Sequence, residues 1–214
     1  VSETIKSFRA ALVQMRSART TEPNLYALDA AVRQAAAGGA DYVQTPELTT
    51  IMELSTKKLF AQIEPEAENT ALYHIQALAR EHSIWLHLGS MAVVLPNGKI
   101  SNRSYLISPQ GALVAQYDKL HMFDVTMPDG RIFQESKYFQ PGTRAVATDL
   151  PWGKLGMTIC YDLRFPHLYR ALAQTGASVI AVPSAFTRET GKAHWETLLR
   201  ARAIETGCYI LAAA

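Results

Sequence analysis

The chain has 214 residues, 48% of them hydrophobic and 19% charged, with a formal net charge of +2 at pH 7. That is enough chain to bury one large core, and residues 1–214 read as a single domain. A charge so near neutral, with Lys and Arg scattered along the chain, argues against a nucleic-acid surface and against a charged interaction arm.

Phe8 to Met15 ("FRAALVQM") reads as a first strand. Residues 24–37 carry Leu25, Leu28, Val32, Ala35 and Ala36 at helical spacing, and the glycine pair at 38–39 ends that helix. "DYVQ" is a short second strand, broken at Pro46, and residues 69–81 form a second amphipathic helix with Leu72, Ile75 and Leu78 inward. "IWLHLGS" is the next strand, and "VVLPNGKI" holds the Asn97-Gly98 signal of a hairpin. "NRSYLIS" and "ALVAQY" continue as strands around the turn "PQG". From about Asp118 to Gly142 no period is visible, which predicts a long functional loop. "AVATDLPWGKLGMTI" forms a hairpin around Pro151-Trp152-Gly153, followed by a helix from about Pro166 to Gln174 and the strand "SVIAVP". A loop "SAFTRETGK" then leads to a helix at about 193–205 with Trp195, Leu198, Leu199 and Arg202 on one side. Strands alternating with amphipathic helices give an α/β protein whose helices cover one face of a sheet, so the other face needs a partner sheet.

Two cysteines, Cys160 and Cys208, make no disulfide framework and point to a reducing, cytoplasmic setting. Without C-x-x-C or a His/Cys group at zinc spacing, neither a metal nor a cofactor is expected. The longest apolar runs, "SVIAVP" and "CYILAAA", are too short to span a bilayer, and Glu3, Lys6 and Arg9 leave no secretory leader at the start. The chain begins without Met and stops inside the strand-like run "GCYILAAA", so a truncated C-terminus is expected.

Cys160 stands between the apolar run Leu155 to Ile159 and the helix that starts near His167. Structural cysteines are usually deep in a core, whereas a thiol at a strand-to-helix elbow can meet a ligand. Two other reactive residues also sit just past strands, Glu47 after "DYVQTP" and Lys119 after "ALVAQYD". Strand carboxyl ends are where α/β proteins gather ligands. A carboxylate base, a thiol and a fixed cation suffice for a cysteine hydrolase without histidine.

Those residues lie in "TPEL", "YDKLHMFD" and "ICYDLRFPHLYR", which resemble the three signature blocks of the nitrilase (carbon–nitrogen hydrolase) superfamily. "QESKYFQPG" and "PSAFTRETGKAHWETLLRARAIETGCYI" extend the likeness over nearly the whole chain and look most like the Nit branch of omega-amidases and deaminated-glutathione amidases. The resemblance implies a four-layer α-β-β-α sandwich that continues past residue 214, so the C-terminal part is missing from this chain. It implies Glu47 as base, Lys119 as oxyanion stabiliser, Cys160 as nucleophile and Glu135 as support for the lysine or the substrate. The backbone N–H of Tyr161 is a second oxyanion donor. Arg164 and Thr190 are implied to hold a substrate carboxylate, with Phe186 lining the pocket. Arg164 pairing instead with Asp162 or Glu205 stays open. Gln44 and Thr45 depart from the apolar residues many relatives have beside the glutamate.

The expected activity is release of ammonia from a small linear, carboxylate-bearing amide through a cysteine thioester. Alternatives are a nitrilase or N-carbamoyl hydrolase with the same three residues, or a catalytically silent binding or scaffold protein. The expected partners are a small-molecule amide and further copies of the chain, as a homodimer or larger homo-oligomer, with no membrane and no nucleic acid. His121, His167 and His194 read as structural, and Cys208 as core.

Overall fold

The computed structural model describes residues 7–127 and 129–214. Two sheets carry the fold. The first has the order β1 (Ala10–Leu12), β2 (Tyr42–Gln44), β3 (Trp85–Val94), β4 (Ile100–Ile107) and β5 (Leu113–Asp118). Strands β1, β2 and β3 are parallel, so helical crossovers must join them. These are α1 (Thr21–Ala37) and, between β2 and β3, α2 (Thr56–Phe60) followed by α3 (Thr70–His82). Asn69 caps α3 by accepting from Leu72 N–H at 2.9 Å. The antiparallel part turns at Gly98 and Gly111, both at φ +78°, which suits glycine.

The second sheet has β8 (Val146–Leu150), β9 (Gly153–Met157) and β10 (Ala177–Ala181), with β11 (Tyr209–Leu211) at the far edge. Helices α4 (Pro166–Gln174) and α5 (Arg188–Thr206) supply its crossovers.

Alternation along the strands sorts side chains into layers. Leu86 and Leu88 face α1 and α3, packing with Leu28, Val32, Leu72 and Ile75. Tyr42, Leu106 and Tyr117 of the first sheet meet Leu155, Met157, Val179 and Ala181 of the second. Ile180 points outward to Leu168 and Leu172 of α4 and to Leu198 and Leu199 of α5. This is the expected α-β-β-α sandwich. Phe8 stacks on Trp152 across the sheets at 4.8 Å, and Gln44 Nε2 donates to Leu211 C=O at 3.1 Å.

Several local expectations need correction. The first strand shrinks to three residues, and Trp85–Val94 is one strand with a register shift between Leu88 and Met91. The segment from Asp118 to Gly142 is not a structureless loop: it contains a hairpin of β6 (Asp124–Thr126) and β7 (Ile132–Gln134), then a 3-10 turn at Glu135–Lys137. Helix α5 begins five residues early, because Thr187 Oγ1 accepts from Thr190 N–H and caps it. Thr190 is therefore helical rather than in a loop. Gln44 and Thr45, the departures beside Glu47, are polar side chains taken up inside the fold. Both are buried and hydrogen-bonded, Gln44 to β11 and Thr45 Oγ1 to Gly89 N–H and Thr49.

Candidate active site

Three strand ends deliver the three reactive residues. After β2, Pro46 breaks the ladder and Leu48 takes φ +50°, a left-handed turn held by Leu48 N–H to Ser90 Oγ at 2.8 Å. Gly89 permits this turn: a Cβ there would stand 2.0 Å from Thr45 C=O. Glu47 is thereby pushed inward and is 5% exposed. Lys119 follows β5 directly, its N–H bonded to Asn102 C=O at 3.0 Å and its C=O to Gly142 N–H at 2.8 Å. Its neighbour Asp118 is clamped by Arg103 at 2.6 and 2.9 Å, which leaves the ammonium to other partners.

Cys160 opens a 3-10 turn, Cys160–Arg164, at φ +47°. A non-glycine residue there is strained by roughly 1–3 kcal/mol and needs bracing. The braces are Cys160 N–H to Pro183 C=O at 2.8 Å and the buried carboxylate of Asp162. Asp162 accepts from Ile159 N–H at 2.9 Å, Tyr117 O–H at 2.7 Å, and His121 N–H and Nδ1 at 3.0 and 2.7 Å. The same carboxylate thus ties the Cys160 turn to the segment that carries Lys119.

Lys119 Nζ donates to Glu47 Oε1 at 2.9 Å and to both oxygens of Glu135 at 3.1 and 3.0 Å. Glu135 also accepts from Phe123 N–H at 2.7 Å, so it is anchored in the cluster rather than facing water. Glu47 Oε2 accepts from Ala185 N–H at 3.1 Å. Asn102 Nδ2 completes the group, 2.9 Å from Glu47 Oε1 and 3.4 Å from Glu135 Oε1. Two carboxylates share one cation in a buried site, and this sets the proton affinities. Burial alone pushes Glu47 up, but the charge and hydrogen bond of Lys119 outweigh it and hold the carboxyl below its usual range. Burial pulls Lys119 down, yet Glu47 and Glu135 together keep it firmly protonated. Burial and then the Glu47 charge push the Cys160 thiol well up, with Lys119 opposing. The resting set is a neutral thiol beside an ionised carboxylate.

These groups open into a cleft of about 560 Å³. Glu47, Lys119, Glu135, Cys160, Arg164, Phe186 and Thr190 all line it. Tyr161 is the expected site residue outside the lining. Its ring packs edge-on against Phe123 and Phe165, while no described residue accepts from its backbone N–H. Arg164 pairs with neither of its alternatives: Asp162 is committed to Tyr117 and His121, and Glu205 binds Arg202 at 2.8 Å. Its guanidinium lies 5.6 Å over the Phe186 ring and 3.3 Å from His194 Nδ1, with no carboxylate within ion-pair reach among the described residues. Ile51, Leu59 and Phe139 give the same cleft an apolar wall. No group of three or more His, Cys, Asp or Glu among the described residues is placed to hold a metal ion, and no described helix is long and apolar enough to cross a membrane.

Sequence reasoning missed Asn102, the Asp162–Tyr117–His121 brace and the Ala185 N–H. Asp162 alone carried a signal, since it sits two residues after the cysteine.

Two face-to-face sheets sheathed in helices, with a buried Glu, Lys and Cys converging from three strand ends, define a nitrilase-type fold. The carbon–nitrogen hydrolase family model matches residues 9–214, and the chain belongs to that family. It is 42% identical to a deaminated glutathione amidase of Yersinia enterocolitica, over 98% of this chain and 74% of that protein. The crystal structure of the Caenorhabditis elegans NitFhit protein superposes with a TM-score of 0.88 at 36% identity, covering 97% of this chain and 51% of that one. An amidase mutant from Nesterenkonia sp. AN1, with acrylamide added to its active-site cysteine, gives a TM-score of 0.82 at 28% identity, covering 97% and 78%. Its class is accordingly that of the carbon–nitrogen hydrolases.

Proposed function

We propose that the chain hydrolyses small linear amides that carry a carboxylate, with Cys160 as nucleophile. The observation that carries this reading is the buried Glu47, fixed by Lys119 at 2.9 Å and lining one cleft with Lys119 and Cys160. Cys160 attacks the amide carbonyl as its proton passes to Glu47, forming the S–C bond. Lys119 and the Tyr161 N–H, which has no described acceptor, hold the resulting oxyanion. Glu135 holds Lys119 in place. The C–N bond then breaks, Glu47 returns the proton, and ammonia leaves a thioester. Water attacks the thioester with Glu47 again taking a proton, and the thiol is restored with release of the acid. Every step uses side chains of this chain and water.

The carboxylate preference rests on Arg164, whose fork has no acidic partner among the described residues while it lines the same cleft. Phe186 supports its face, and Thr190 adds a hydroxyl beside it. The apolar wall of Ile51, Leu59 and Phe139 suits the methylene stretch of a linear substrate. The unpaired cysteines fit a cytoplasmic setting. Self-association is a separate proposal, supported by Ile204 and Tyr209 standing 82% and 77% exposed near α5 and β11, and sedimentation velocity checks it.

The test is ammonia release from a panel of ω-amides, α-ketoglutaramate and deaminated glutathione among them, beside matching nitriles and N-carbamoyl acids. Release from carboxylate-bearing amides by the wild type, and none by Cys160→Ala, is the expected result. Turnover of nitriles or carbamoyl compounds alone would replace the amide assignment, and no turnover by a folded chain would favour a silent scaffold.

A further inference from the structure

Asn102 takes no part in the steps above, although it touches both carboxylates of the cluster and the backbone of Lys119. It lies on β4, is 1% exposed, and its backbone C=O holds Lys119 N–H at 3.0 Å. Its NH2 group faces Glu47 Oε1 at 2.9 Å and Glu135 Oε1 at 3.4 Å. Two carboxylate oxygens fix the carboxamide's orientation, since flipping it would set a carbonyl oxygen against two anions. The other half of the amide gains nothing: Oδ1 is buried with no partner among the described residues. A buried carboxamide with one unmet end is placed for the sake of its donor end.

We propose that Asn102 is a positioning residue whose NH2 group ties Glu47 to Glu135 and reserves Glu47 Oε2 for the proton exchanged with Cys160. This rests on the Glu47–Cys160 reading above. Glu47 Oε1 receives Lys119 and Asn102, both at 2.9 Å, which fills its two acceptor sites. Among the described residues Oε2 receives Ala185 N–H, at 3.1 Å, which leaves its second site for Cys160. Lys119 and Asn102 each bridge the two glutamates, so the four groups close a ring that fixes the carboxylate plane. Without Asn102, Oε1 also has a free site, the plane can swing, and two anions face one cation with one donor fewer. The proton affinity of Glu47 then rises. The groups that face Glu47 are Lys119 after β5, Glu135 in the 135–137 turn, Cys160 in the 160–164 turn and Ala185 N–H, with Arg164 elsewhere on the cleft.

The test is the pH dependence of Cys160 alkylation by iodoacetamide, followed by peptide mass spectrometry, which needs no amide substrate. Asn102→Leu keeps the shape and removes both polar ends, and Asn102→Asp replaces the donor with a third carboxylate. The wild-type rate should stay level down to the low-pH limb set by Glu47. In Asn102→Leu the limb should move up by about one pH unit, so that the rate falls about tenfold below wild type only at pH values under both limbs, and in Asn102→Asp it should move further. Where an amide is turned over, kcat should fall about tenfold with KM within about threefold. A merely structural Asn102 would lower the melting temperature and leave the limb alone, and that result in either folded variant overturns the proposal. If instead the wild type is alkylated no faster than its Glu47→Gln variant, the Glu47–Cys160 reading fails and takes this proposal with it.

Discussion

The floor and the rim of the cleft are built on different rules. At the floor, Glu47, Lys119 and Asn102 are buried, each is held by two or more partners, and the backbone beside them is strained at Leu48 and Cys160. At the rim, Arg164 has, among the described residues, ring faces and a histidine nitrogen for company, and the Thr190 hydroxyl is shared with Thr187 at 2.8 Å. The floor spends stability on charge: two carboxylates and an ammonium are kept out of water, where only their mutual bonds offset the loss of hydration. The rim leaves a cation under-used, which is what a site that binds an anionic group needs. Chemistry is thus fixed by over-determined packing, and selectivity is left to a few side chains with spare bonding capacity.

Substitutions should separate the two regions by size of effect. Cys160→Ala should abolish turnover, by at least about 10⁴-fold, and Glu47→Gln should cost about 10²–10⁴ in kcat, both read by ammonia release. Lys119→Met should lower kcat by about 10²–10³. It should also unfold at a visibly lower temperature, since it strands two buried carboxylates at a cost of about 3–5 kcal/mol. At the rim, Arg164→Lys should raise KM for acidic amides about tenfold, leave kcat nearly alone, and leave neutral amides of equal length untouched. Equal losses for acidic and neutral substrates would assign Arg164 to the floor instead. Thr190→Ala should change KM by about threefold or less, because its hydroxyl already has a protein partner.

Acidity sharpens the same contrast. In the proposed reaction Glu47 acts as an ionised base, and Lys119 holds it below the ordinary glutamate value of 4.5. Activity should therefore be level from about pH 5.5 to 8.5 and fall only below the ordinary range. The stability that Glu47 contributes has the same sign: it is complete above the unfolded carboxylate's pKa and is lost as pH falls through the lower folded value. Because the thiol is pushed up, alkylation of Cys160 should show no rise centred on pH 8.5, and such a rise would contradict the upward push on the thiol.

The sequence made the floor's three principal residues legible because each follows a strand end, and the motif blocks around them are contiguous. The sandwich was legible from alternation and helical period in the same way. Asn102 was invisible because it sits in a run of four polar residues, Ser101 to Ser104, with no alternation to single it out, and only the approach of Glu47 after β2 and Lys119 after β5 gives it partners. The β6–β7 hairpin escaped because three-residue strands cannot establish a period. The start of α5 escaped because "TRET" reads as a turn until Thr187 is seen bonding Thr190 N–H. Arg164 was ambiguous for a related reason: which carboxylate it meets depends on Asp162 being taken by Tyr117 and His121, contacts far away in sequence.

The most direct single measurement is the intact mass of the protein acid-quenched during turnover of an ω-amide, followed by digestion. A neutral thioester adduct of the acyl group on the Cys160 peptide, present in the wild type and absent in Cys160→Ala, is the predicted result. Steady product formation with no adduct at Cys160, under conditions where deacylation is slowed by low temperature, would contradict nucleophilic attack by this thiol.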